Sequence, residues 1–133
     1  MNAHLTQIAE SCLRGAEDDS KTFPEIVATL FEAGFEGYLI DFRRATATYY
    51  GADGDGVALP THRAATPIAD RFDTTTIQAA ILEAQRLVPG YTYAGFCRKV
   101  MTAGCAGYLV SFPGRRVVYF GRTAEVHTVH FPQ

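Results

Sequence analysis

The sequence contains no GxGxxG, no Walker lysine motif, no HExxH and no GxSxG. The familiar dinucleotide, nucleoside-triphosphate, zincin and hydrolase chemistries therefore have no signal in it. Its three cysteines, Cys12, Cys97 and Cys105, form no CxxC and cannot all pair within one chain. They are expected to be reduced, buried thiols rather than a disulfide scaffold, Cys105 being reactive only if exposed. No apolar run approaches the roughly 20 residues that a bilayer-spanning helix needs. The opening MNAHLTQIAE lacks the basic-then-apolar layout of a secretion signal, so the expectation is a cytoplasmic chain without membrane contact. Charge of neither sign is in excess: 12 basic and 14 acidic side chains give −2. No overall field draws such a chain to nucleic acid or anionic lipid. Neither an aromatic-interleaved basic platform nor a recognition-helix pattern is present, so nucleic acid is not an expected partner.

What is there is 133 residues, 47% hydrophobic and 12% aromatic, the profile of one globular domain. Laid over itself at an offset of 70, the chain matches. Over 33–51 against 103–121, eight of nineteen positions are identical, among them Gly34/Gly104, Gly37/Gly107, Tyr38/Tyr108, Tyr49/Tyr119 and Gly51/Gly121. Chance would give about one. An offset of 69 carries the match upstream through Ile8/Ile77 and Leu13/Leu82. The expectation is a single domain, 1–133, made of two repeats, about 4–62 and 74–131.

Each repeat reads as two helices followed by strands. Leu5, Ile8, Ala9, Cys12, Leu13 and Ala16 form one apolar stripe, answered by Ile77, Ala80, Ile81, Ala84 and Val88. Phe23, Ile26, Val27, Leu30 and Phe31 form a second core stripe, answered by Tyr93, Phe96, Cys97, Val100 and Met101. Thr22 with Glu25 and Pro24 reads as a capping box. Gly34 and Gly104 read as helix stops. After each glycine the period becomes 2, and GYLIDF and GYLVSF read as strands with ATATYYG and RVVYFG as hairpin partners. Pro113-Gly114 predicts a type II turn, with glycine at the positive φ. VALPTH and EVHTVHF read as third strands, and 52–72 as the least regular stretch. Units of about 65 residues are marginal alone, so the two should share a core. The predicted fold is α+β, an antiparallel sheet with helices packed on it and pseudo-twofold symmetry.

The strings FPEIVATLFEAGFEGYLIDF, ATYYGADG and AGCAGYLVSFPGRRVVYFGRTAEVHTVHFP resemble the YbcV/YdfO-like (DUF1398-like) bacterial family, whose members often carry a "phage envelope protein" label from prophage neighbourhoods. The resemblance spans about residues 20–131, and GRRVVYFGRTAEVH is its most specific part. It implies a prophage-associated accessory protein and brings with it no activity, cofactor or catalytic residue. Related chains often carry an acidic residue where this one has Val129, so no carboxylate is expected to assist His130.

Four residues are candidates for chemistry. Asp41 interrupts an apolar strand where its counterpart is Ser111, and pairing with Arg43 or a partner-strand arginine explains it as well as catalysis does. His127 and His130 are three apart on a strand and so face opposite ways, which argues against a shared metal. With Cys97 and Cys105 they miss structural zinc spacing. His62 falls near the repeat equivalent of 130–132, so a dyad could bring it to those histidines. Asp53-Gly54-Asp55-Gly56 lacks the closing glutamate of a calcium loop and reads as a hairpin turn. No metal or cofactor is expected.

Ten of the twelve basic residues are arginine. Arg43-Arg44 and Arg115-Arg116, with Arg122, flank corresponding hairpins and are candidates for a two-lobed anion site or for solubilising charge. Tyr49 and Tyr119 are ligand candidates beside a core-packing reading. The expected function is a non-enzymatic binding or accessory protein, with a cleft near the pseudo-twofold axis for a small molecule or protein. The alternative is a small enzyme using Asp41, His62, His127 and His130. A third reading is a homodimer formed through exposed sheet edges.

Overall fold

Four short polar side chains start the four helices. Asn2, Thr22, Asp73 and Thr92 accept from the backbone N–H groups of Leu5, Glu25, Thr76 and Gly95, donors that a helix start leaves unpaired. The computed structural model describes residues 1–132. The elements are α1 (Ala3–Glu17), α2 (Phe23–Glu32), β1 (Phe35–Asp41), β2 (Thr46–Gly51), β3 (Gly56–Pro60), α3 (Thr74–Arg86), α4 (Tyr93–Thr102), β4 (Cys105–Ser111), β5 (Arg116–Gly121) and β6 (Val126–His130). The order helix, helix, strand, strand, strand thus occurs twice. Thr22 and Glu25 form the expected capping box, and Gly34 and Gly104 take φ of +96° and +94° just past α2 and α4.

The six strands form one sheet in the order β3-β2-β1-β4-β5-β6, every pair antiparallel. Alternation divides the side chains. Tyr38, Ile40, Ala47, Tyr49, Tyr108, Val110, Val117 and Tyr119 share one core with Ala9, Cys12, Leu30, Ile77, Ile81, Phe96 and Val100 of the helices. Leu39, Thr48, Tyr50, Leu109, Val118 and Phe120 occupy the other face, where Tyr50 and Leu109 are exposed. This is an α+β fold with a one-sided antiparallel sheet. Among the described residues no helix is long and apolar enough to cross a membrane.

Backbone bonds outside the ladders recur 70 residues apart. Phe42 N–H donates to Ala106 O and Phe112 N–H to Glu36 O; Thr61 N–H donates to Ala45 O and Phe131 N–H to Arg115 O. Both central strands need glycine. A Cβ on Gly37 would overlap the Val110 carbonyl, and one on Gly107 the Ile40 carbonyl, because β1 and β4 approach closely beside matching bulges.

Three expectations are corrected. The positive φ of the Pro113-Gly114 turn falls on Arg115 (+51°) and not on glycine, as it falls on Ala45 (+51°) in the first hairpin. Arg115 N–H closes the turn on Phe112 O, so Gly114 keeps an ordinary φ and the turn is not type II. Phe23 and Phe31 are 43% and 64% exposed, because ten residues of α2 bury only the stripe of Ile26 and Leu30. Val88 lies beyond α3, which ends at Arg86 with Leu87 in the left-handed region.

Candidate functional site

A mainly apolar cavity of about 150 Å³ is bordered by Glu17, His62, Arg63 and Arg98. Its walls come from four places. Leu13 and Glu17 stand at the end of α1, Ile40 and Phe42 at the end of β1 with Ala45 in the following turn, and Thr61, His62 and Arg63 just after β3. The fourth wall is α4. Residues four apart on a helix stack on one face, so Tyr93, Cys97 and Met101 form one row, and Ala94 with Arg98 the next.

Two long-range bonds hold the walls in place. Glu17 Oε2 accepts from the His62 backbone N–H at 2.8 Å, and Glu17 Oε1 lies 3.6 Å from His62 Nε2. Asp19 Oδ1 accepts from the Tyr93 N–H at 2.8 Å, which ties the α1–α2 connection to the start of α4. Tyr93 and Tyr108 share a hydrogen bond of 2.7 Å between their hydroxyls. Burial pushes the Cys97 thiol up to about 12, against the smaller opposing effects of Tyr93 and Arg98. It likewise raises Tyr93 and Tyr108 well above the ordinary tyrosine value. These groups stay neutral and hydrogen-bonding at physiological pH, and the thiol is no nucleophile.

At the equivalent place in the other repeat stand aromatic rings. Phe131 stands where the cavity has Thr61, Phe31 where it has Met101, and Arg115 where it has Ala45. Phe23 meets Phe131 edge-on at 6.3 Å, Phe31 meets Phe112 at 6.3 Å, and the Arg115 guanidinium covers the Phe131 ring at 5.9 Å. One repeat therefore keeps a hollow where the other packs aromatic rings. A second, more open hollow of about 200 Å³ between α1 and α2 is bordered by His4, Gln7, Ser11 and Lys21. No chain of buried hydroxyls leads into it.

Of the residues singled out in the sequence, His62 borders the cavity. His127 and His130 are on β6, and four strands separate β6 from β3 and the His62 that follows it. At about 4.8 Å per strand the two edges are roughly 24 Å apart, so the expected meeting of His62 with His127 and His130 does not occur. A dyad through the middle of a sheet carries one edge onto the other; it does not join them.

Asp41 caps a turn. Its Oδ1 accepts from the N–H groups of Arg43 and Arg44 at 2.9 and 3.2 Å, and Ser111 does the same for Gly114 at 2.9 Å. The shared task explains why polarity recurs there while charge does not. Arg43 and Arg115 sit at turns on opposite ends of the sheet, because β1 and β4 run antiparallel, so they build no joint anion site. Arg115 also donates to Pro132 O, and Arg122 to Ile68 O.

Tyr49 and Tyr119 are buried in a row that runs across the sheet: Tyr49 against Tyr38 at 5.4 Å, Tyr38 against Tyr108 at 6.4 Å, and Tyr108 against Tyr119 at 5.4 Å. Neither borders the cavity. The cleft expected at the centre is not there, since the tyrosines pack across it; the hollow lies to one flank. Sequence reading missed Tyr93, Arg63 and Arg98 as site residues, although the size changes at 45, 61 and 101 against 115, 131 and 31 were visible at the 70-residue offset. Among the described residues no three His, Cys, Asp or Glu side chains cluster as metal ligands.

No curated protein matches the chain. The family described as "Protein of unknown function (DUF1398)" matches residues 14–129, from within α1 into β6. The chain belongs to the DUF1398 family.

Proposed function

We propose that this protein is a non-catalytic binder of a small molecule, and that the cavity between α1, the β1–β2 turn, the segment after β3 and α4 is its binding site. The observation that carries this reading is the asymmetry between repeats. Packing favours filling voids, and the chain sets large aromatic rings at this place in one repeat but Ala45, Thr61 and Met101 around a hollow in the other. The open copy is also the one with a hydroxyl and a thiol at its lining, the mixture typical of ligand pockets. The recurring element order and the matching backbone bonds support descent from two copies of one unit, after which one copy specialised. Asp41, His62, His127 and His130 are not gathered around a common space, which disfavours the enzyme reading.

The likeness to YbcV/YdfO-like chains supports placing the protein in that branch of the family. A prophage-associated accessory role and a cytoplasmic location rest on that likeness and on the sequence features given above. The test is amide chemical-shift mapping with benzyl alcohol as a neutral probe. Shifts should concentrate at Ala45, Thr61, Tyr93 and Cys97, and should vanish in the filled variant Thr61→Phe/Met101→Phe. Shifts centred elsewhere, or persisting in the filled variant, overturn the reading.

A further inference from the structure

We infer that the ligand is a small carboxylate with a compact apolar body, its charge read at the cavity mouth by Arg63 and Arg98; this deepens the proposed function and rests on it. The volume sets the size. A cavity of about 150 Å³ is that of a space which, lined by apolar side chains, takes a benzene ring. Ile40, Phe42, Leu13 and Met101 supply apolar walls for such a body.

The mouth sets the charge. Glu17, Arg63 and Arg98 are the side chains of fixed charge that border it, beside the titratable His62. The carboxylate of Glu17 is committed, since one oxygen accepts the His62 N–H and the other faces the imidazole. Arg63 has only a long bond of 3.5 Å to the Arg43 carbonyl. Among the described residues Arg98 has no hydrogen bond or ion pair. Two guanidiniums without a carboxylate partner, at the rim of an apolar hollow, match a planar anion that accepts forked hydrogen bonds. The other repeat supports the assignment: Arg98 is replaced there by Ala28, and its arginine, Arg115, lies over an aromatic ring. The guanidinium on α4 accompanies the hollow and has no counterpart on α2, where aromatic rings stand instead.

The experiment compares benzoate, benzamide and benzylamine by ligand-observed NMR titration, with the wild type, Arg98→Gln, Arg63→Gln and the filled variant. Benzoate should bind at least about tenfold more tightly than benzamide, and each glutamine variant should weaken benzoate about tenfold and benzamide, which carries no charge, by much less. Both arginines are exposed, and a thermal melt confirms that each variant folds. Equal binding of benzoate and benzamide, a preference for benzylamine, or indifference to both substitutions overturns the carboxylate assignment while leaving the cavity reading intact. If none of the three probes binds the wild type more tightly than the filled variant, both readings fall.

Discussion

Leu39 of β1 and Leu109 of β4 are cross-strand partners at the centre of the sheet, and the pairing reads identically from either side. Two residues away in one direction Gly37 faces Ser111, and in the other Asp41 faces Gly107. Residues 37 and 107, and 41 and 111, are the same positions of the two repeats. The junction is therefore self-complementary, as the contact of a two-fold dimer would be. It also places both glycines where the neighbouring strand's carbonyl comes closest.

Adding a methyl group there should be costly. Gly37→Ala and Gly107→Ala are each expected to destabilise by about 1–3 kcal/mol, because the obstruction is backbone and cannot rotate away. Gly54→Ala meets no atom within 4 Å and only the strain of its φ of +87°, so it should cost about 1 kcal/mol. Urea unfolding of the three variants checks the order.

The Tyr93–Tyr108 pair should show strong coupling. Tyr93→Phe leaves the Tyr108 hydroxyl without its partner and should cost about 1–2 kcal/mol. Tyr93→Phe/Tyr108→Phe removes both ends and should cost clearly less than the sum of the singles. A double-mutant cycle measures this, and strict additivity would show that the bond contributes nothing.

Alkaline pH should unfold the protein early. The Cys97 thiol is raised from 9.0 to about 12 and Cys105 from 9.0 to about 11, both chiefly by burial. Unfolded, these thiols release their protons near 9; folded, they hold them. Their contribution to stability is fully present below pH 9 and is lost as pH rises toward 11–12. Urea midpoints should fall steeply over that window and little between pH 7 and 8.5. At pH 8 a thiol reagent should label the native protein far more slowly than the denatured one.

Asp41 distinguishes a turn cap from a catalytic carboxylate. Asp41→Ser reproduces the arrangement of Ser111 and should be close to neutral, whereas Asp41→Ala leaves the Arg43 and Arg44 N–H groups without their acceptor and should cost about 1 kcal/mol. Neither substitution should change binding of benzyl alcohol. Thermal melts and the probe titration together check both halves of the statement.

What was legible in the sequence is what short-range chemistry decides. The caps at Thr22 and Gly34, the strand tracts and the stripe of Ala9, Cys12 and Leu13 follow from spacing alone, and each appears where expected. The exposed rings of Phe23 and Phe31 were misjudged because a stripe shows which face turns inward without showing how far the neighbouring element extends. The histidines were misjudged because recurrence says that two places are equivalent and nothing about their separation. The cavity lay hidden for a related reason. Ala45, Thr61 and Met101 are unremarkable singly, and their small size acquires meaning only once folding brings a turn, a strand exit and a helix together.

The contact of α4 with α1, the pairing of β1 with β4, and the packing of Phe31 in α2 against Phe112 after β4 make the two repeats hostages to each other. Severing the backbone between residues 64 and 73 should not liberate two lobes: the nicked pieces should stay clasped, and either piece made alone should be a sticky, unfinished chain.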